Sequence, residues 1–211
     1  MNLEKLKVME EYFFKMYPKG FEDEGLADIV KRHNVAKLTT FTQEAFAKEQ
    51  FIDSNQIVEN MNKIISKSSL ISLFEKPKFR DAIKSMSEER KDILSIGLEK
   101  MLHGNYKSGF NIVLEVLERD KLAKWSLISV IPYYYAPKKE FFIKPTTTKN
   151  ILKYFEIEEI IYKPRPSYEF YSAYKKILKQ FKKEVNKKLG DNNAKFTGFL
   201  MMTMEAINET P

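Results

Sequence analysis

The sequence contains no cysteine and only two histidines, His33 and His103, among its 211 residues. The missing thiols exclude disulfide scaffolds, cysteine nucleophiles, cysteine-ligated zinc and iron–sulfur clusters. The histidines are far apart and have no H-E-x-x-H spacing, so a zinc-protease reading fails and no metal is expected. His103, followed by Gly104, instead fits a helix C-terminus, where positive charge complements the exposed carbonyls. Glycine-rich phosphate loops are also missing, both G-x-x-x-x-G-K-[ST] and G-x-G-x-x-G, and no cofactor is expected. Apolar runs are short: Leu127 to Ile131 is broken by Ser129, and Phe199 to Met202 is brief. Both fall far below the roughly 20 residues that span a bilayer. Met1 to Lys7 mixes charge throughout and forms no apolar signal region. The expectation is a cytoplasmic chain with no membrane partner.

What is present points to a folded helical protein. The chain is 43% hydrophobic, 13% aromatic and 31% charged, too apolar for a disordered segment and long enough for a substantial core. Apolar residues recur with helical period and rarely alternate, so the fold class is all-α, a compact multi-helix domain over 1–211. A subdivision into a helical bundle at 1–120 and a basic aromatic part at 121–211 is the alternative. Asn2 is placed to cap a first helix with Leu3, Leu6, Met9, Phe13, Met16 and Tyr17 on one stripe, ended by Pro18 and Gly20. A short helix is expected around Leu26 to Arg32. Thr42 is read as the cap of the next, with Phe41 and Phe46 as a hydrophobic staple. Ile57, Val58, Met61, Ile64 and Ile65 mark another. Ser87 is expected to cap a helix carrying Ile93, Ile96, Leu98, Met101 and Leu102. Phe110 to Leu117 continue the core.

Ile131-Pro132-Tyr133-Tyr134-Tyr135-Ala136-Pro137 does not read as one uninterrupted helix, and a minor extended element is expected near residues 133–144. Helices at about 146–155 and 168–189 should follow, then a turn at 190–193 and a last apolar helix. Gly198 in that helix suggests close approach to another backbone. Acidic pairs such as Glu88-Glu89, Glu158-Glu159 and Glu22-Asp23-Glu24 read as solvated faces. Glu89-Arg90-Lys91 has a nuclease-like spacing, but on a helix rather than the strand that chemistry needs.

Charge is unevenly distributed. The chain carries a net +7, whereas residues 138–188 alone hold 14 basic residues against 6 acidic. Two candidate anion sites lie here, each opening a helix, where free backbone N–H groups and the helix dipole attract anions. The first is Lys144, Thr146, Thr147, Thr148 and Lys149. The second is Lys163 and Arg165, held on a stiff strut by Pro164 and Pro166 and flanked by Tyr162 and Tyr168 as stacking surfaces. The 168–189 helix buries Tyr171, Tyr174, Leu178, Phe181 and Val185. Lys176, Lys179, Lys183 and Lys187 form the opposite edge, about 16 Å long at 1.5 Å per residue. Each feature also has a bland reading: ordinary helix starts, and a lysine face that keeps an amphipathic helix solvated. Three consecutive tyrosines, Tyr133, Tyr134 and Tyr135, cannot all face inward, which makes them candidates for an interaction surface.

Phe142-Ile143-Lys144-Pro145-Thr146-Thr147-Thr148-Lys149, followed by Tyr162-Lys163-Pro164-Arg165-Pro166-Ser167-Tyr168, resembles a pattern in uncharacterised bacterial helical proteins. Similar segments in some of these accompany restriction-type AAA nucleotide hydrolases. The resemblance covers at most residues 120–205 and implies an accessory or recognition module of DNA-directed machinery, with no catalytic residue carried over. The expected function is therefore a non-enzymatic module that binds nucleic acid or another polyanion through phosphate contacts. A protein-interaction scaffold using the tyrosines, and an enzyme acting on a small anion at the two helix starts, are the alternatives.

Overall fold

The structure, a computed structural model, describes residues 2–209. These form α1 (Glu4–Met16), α2 (Ala27–His33), α3 (Val35–Ala45), α4 (Ser54–Lys67), α5 (Glu75–Ser85), α6 (Glu88–His103), α7 (Tyr106–Arg119), α8 (Trp125–Tyr135), α9 (Pro145–Tyr154), α10 (Tyr168–Glu184), the single turn α11 (Lys187–Gly190) and α12 (Asn193–Glu209). The fold is all-α, with no strand among the described residues. One hydrophobic cluster runs from Leu6 to Met204. Helices α3 and α4 pack on α8, and α1 and α9 pack on α12, so the first and last helices close on each other.

Local chemistry sets most boundaries. Asn2 accepts from the Glu4 N–H, Asp53 Oδ1 from Gln56, Ser87 Oγ from Arg90 and Ser167 Oγ from Phe170, each occupying a free donor at a helix start. Helix α2 ends at Asn34, whose φ of 44° is left-handed, and α3 starts directly after it. Thr42 is therefore not a cap. It lies inside α3, fully buried, and its hydroxyl donates to the Leu38 carbonyl at 2.6 Å.

Helices α6 and α7 make the tightest crossing. A methyl group at Gly109 would sit 2.4 Å from the Met101 nitrogen and 2.5 Å from the Gly97 oxygen, so the two backbones touch where these glycines meet. The contact face of α6 is Leu94, Gly97, Leu98 and Met101. Ile93 and Ile96, expected in the core, are exposed on its other side. Gly198 meets the Phe21 ring and not a backbone.

Helix α8 runs unbroken through Pro132 and stops at Tyr135, against the expectation of an interruption. Ten of its eleven residues are buried, and contact on all sides outweighs proline's cost of about 3 kcal/mol in a helix. No extended pairing follows. Residues 140–144 are irregular, with Phe141, Phe142 and Ile143 buried, and Ser129 Oγ accepting from the Ile143 N–H at 3.0 Å. The helix expected over 168–189 breaks after Glu184. Asn186 caps α11 through Lys188, and its own N–H donates to Glu10 of α1 at 2.7 Å, which pulls the chain off the α10 axis.

Candidate polyanion-binding face

The two helix starts differ from expectation. At α9, Thr146 is exposed, but Thr147 and Thr148 are buried, with Thr148 against the Tyr174 hydroxyl. They line a small, partly open pocket of about 10 Å³, roughly enough for one water. Lys144 pairs with Glu205 of α12 at 2.8 Å. Lys149 is exposed, with no carboxylate of the described residues within 4 Å.

At the second start, the Arg165 guanidinium grips Glu118 of α7 in a two-pronged pair, Nε to Oε1 at 2.7 Å and Nη2 to Oε2 at 2.8 Å. Arg165 holds the Glu118 carboxyl below its ordinary range, chiefly through this hydrogen bonding. The strut joins helices through Arg165, which is therefore not a free cation. Its tyrosines are not free stacking surfaces either: Tyr162 packs on Trp125 and Phe170, and Tyr168 on Tyr106 and Phe110. Lys163 has an exposed side chain, while its carbonyl accepts from the Trp125 indole N–H at 2.8 Å.

The tyrosine triplet lies mostly in the core. Tyr133 and Tyr134 are buried, and the Tyr134 hydroxyl bonds Ser68 at 3.0 Å. Burial pushes the Tyr134 hydroxyl up to about 12 and raises Tyr133 further. Only Tyr135 is partly exposed, edge-on to the His103 ring. Two successive tyrosines face inward because α8 is surrounded, and the third, Tyr135, keeps part of its surface in solvent.

The lysine face of α10 stays open. Lys176, Lys179 and Lys183 are exposed with no carboxylate of the described residues within 4 Å, and span about 10 Å of helix. Lys187 leaves this row for α11. In its place the fold supplies Lys138, from the turn after α8, and Lys182. The Lys182 ammonium donates to Asn193 Oδ1 at 2.8 Å, and its pKa is lowered first by burial, with Lys138 and Lys179 adding to that shift and Asp191 opposing it. Asp191 itself pairs with Lys195. Two ammonium groups, Lys138 and Lys179, and the Asp191 carboxylate thus act on Lys182, with Asp191 the strongest of the three charges. The sequence carried only an indirect signal of this, the Pro137-Lys138-Lys139 turn within the basic quarter.

The turn that carries Lys138 is anchored by buried polar groups. Glu140 Oε1 accepts from Lys175 at 2.6 Å and Oε2 from the Tyr171 hydroxyl at 2.7 Å. Asn193 donates its side-chain amide to the Glu140 carbonyl and its N–H to the Pro137 carbonyl. Lys175, although on α10, therefore faces inward and belongs to the scaffold.

A second electrostatic feature lies near Lys144. The half-buried His33 bonds Ser69 Oγ at 2.7 Å, and its pKa is lowered by burial, then by Arg32 and Lys144. A base held below its ordinary value takes up protons more readily when unfolded. Stability should therefore fall as pH drops through about 6.5, the free histidine value, towards the folded one. Thermal melts at about pH 7.5 and about pH 5.5 should differ less in His33→Gln than in the parent chain. Equal differences would remove His33 as the group responsible.

Among the described residues no helix is long and apolar enough to cross a membrane, and no cluster of three or more His, Asp or Glu could hold a metal ion. Comparison with protein-family models, with curated proteins and with solved structures gives no match to this chain.

Proposed function

We propose that this protein binds a polyanion, foremost nucleic acid, through phosphate contacts on the α10 lysine face, with Lys138 completing the face from the neighbouring turn. The observation that carries this reading is the row of Lys176, Lys179 and Lys183 along one face of α10, all exposed and with no carboxylate of the described residues within 4 Å. Bringing like charges together costs folding energy, and a phosphate between them relieves that cost on binding. Lys138 and Lys182 add to the same positive field, which Asp191 partly offsets. The surface-exposed lysines carry no base-reading geometry, so affinity should depend on salt and little on sequence. The resemblance of residues 120–205 to segments found with DNA-directed machinery agrees with an accessory role of this kind. The two helix starts contribute less, because Arg165 and Lys144 already have carboxylate partners.

Fluorescence anisotropy with labelled duplex DNA, single-stranded DNA and RNA tests the proposal. Changing Lys138, Lys179 and Lys183 together to Glu should weaken binding about a hundredfold at moderate salt. The corresponding Gln variant should flatten the slope of log affinity against log salt by about three units. Unchanged affinity in the Glu variant, or no binding to any of the three at low salt, would overturn it.

A further inference from the structure

After Ile52, which is 92% exposed before α4, the most exposed large apolar side chains are Leu73, Phe74 and Ile161, on segments tied to the start of α8. Leu73 and Phe74 are 79% and 81% exposed, in the turn that opens α5. This turn is rigid: Ser72 Oγ accepts from the Phe74 N–H at 3.2 Å, and the Ser72 carbonyl accepts from Glu75 and Lys76 at 3.0 and 3.2 Å. The fold therefore holds two large hydrophobic side chains in water, where neither contributes to the core. Glu75 Oε2 accepts from Ser126 Oγ at 3.0 Å, which ties this turn to the start of α8. Ile161, 76% exposed, belongs to a segment tied to the same start by the bond from Trp125 to the Lys163 carbonyl. The three segments tied together there, 72–78, 121–126 and 161–165, hold five lysines against Glu75, besides Arg165, which Glu118 neutralises.

We propose that this end of the molecule docks on an anionic lipid surface, with Leu73 and Phe74 entering the headgroup boundary and the surrounding lysines meeting lipid phosphates and carboxylates. Three observations select this occupant. The surrounding charge is positive, complementary to an anionic leaflet. The apolar groups stand on turns rather than lining a groove, the shape for shallow insertion. Their area is also far too small for a stable protein interface, which needs about 800 Å² per partner, whereas a few inserted side chains and cations suffice for reversible lipid binding. The lack of a membrane-crossing helix concerns spanning and does not bear on contact of this kind.

Co-sedimentation of the full chain with vesicles provides the test, using phosphatidylcholine alone and phosphatidylcholine with one-third phosphatidylserine. The chain should pellet with the anionic vesicles and not with the neutral ones. Leu73→Ser with Phe74→Ser, both solvent-facing and so neutral for folding, should lower partitioning at least about tenfold. Lys78→Glu with Lys124→Glu should do the same and flatten the dependence of the remaining partitioning on salt. Failure to pellet at low salt overturns the proposal. So does a Leu73/Phe74 variant that pellets like the parent, since adhesion would then come from lysines alone, with no apolar insertion. If that variant instead abolishes self-association measured by sedimentation velocity without vesicles, the surface is a protein contact and the lipid assignment is wrong.

Discussion

Replacing Gly109 with Ala is expected to destabilise the protein by about 3 kcal/mol or more, at the upper end of overpacking costs. The added methyl would lie 2.4 Å from the Met101 nitrogen, 2.5 Å from the Gly97 oxygen and 2.9 Å from the Lys100 carbonyl carbon, all backbone atoms of α6. No rotamer change relieves such contacts, so α6 and α7 must separate along their packed faces and lose dispersion contacts there. Alanine's helix-propensity gain over glycine, about 1 kcal/mol, offsets only part of this. Gly97→Ala is a graded comparison. Its methyl would meet Ile112 Cγ2 at 2.8 Å and Val113 Cγ2 at 3.0 Å, side-chain atoms that can shift, although the Val113 nitrogen at 3.1 Å is fixed. Urea unfolding should rank the variants Gly109→Ala, then Gly97→Ala, then the parent in order of increasing midpoint. A Gly109→Ala midpoint equal to that of the parent would contradict the close crossing.

Glu140→Ala should cost about 3 kcal/mol, the low end for removing one partner of a buried ion pair. The Glu140 side chain is only 11% exposed and that of Lys175 only 20%, so the deletion strands the ammonium and leaves the Tyr171 hydroxyl with only the longer 3.4 Å contact to the Phe141 carbonyl as acceptor. Tyr171 offers no charge compensation, because burial above all, with Tyr106 and Glu140 adding to it, keeps its hydroxyl far above the ordinary tyrosine value. Lys175→Met should recover part of the loss when combined with Glu140→Ala, since both charges are then gone. A double-mutant cycle by chemical denaturation reads this directly, and strictly additive losses would show that the two groups do not depend on each other. The same variant probes the binding face. Glu140 lies two residues after Lys138, on the turn fixed by Asn193, so loosening that turn should also weaken polyanion affinity beyond what lost stability explains.

The elements legible in the sequence were those with one apolar stripe and a local cap. α4, α7 and α10 each bury a single face, and Ser87 and Asn2 sit where a side-chain oxygen meets a free N–H. Helices with two-sided environments were harder to read. On α6, packing follows the glycines and leaves Ile93 and Ile96 outside; on α8, burial on all sides overrides Pro132 and absorbs two of the three tyrosines. The candidate site shows the same division. The excess of positive charge in residues 138–188 is visible in one dimension, but its neutralisation is not. Arg165 meets Glu118 across 47 positions and Lys144 meets Glu205 across 61, and no local pattern announces either pairing. The approach of Lys138 to Lys182 likewise depends on where a buried Asn193 pins the turn.

The chain has one tryptophan, and Trp125 is 1% exposed at the start of α8, bonded to the Lys163 carbonyl and ringed by Phe110, Tyr162 and Phe170. Its ultraviolet emission thus comes from a single dry locus, the one that joins the α5 turn to the 161–165 strut. A red shift on denaturation reports the opening of that junction, and a far-ultraviolet dichroism signal lost at a different denaturant concentration would reveal that the helices do not melt in one step.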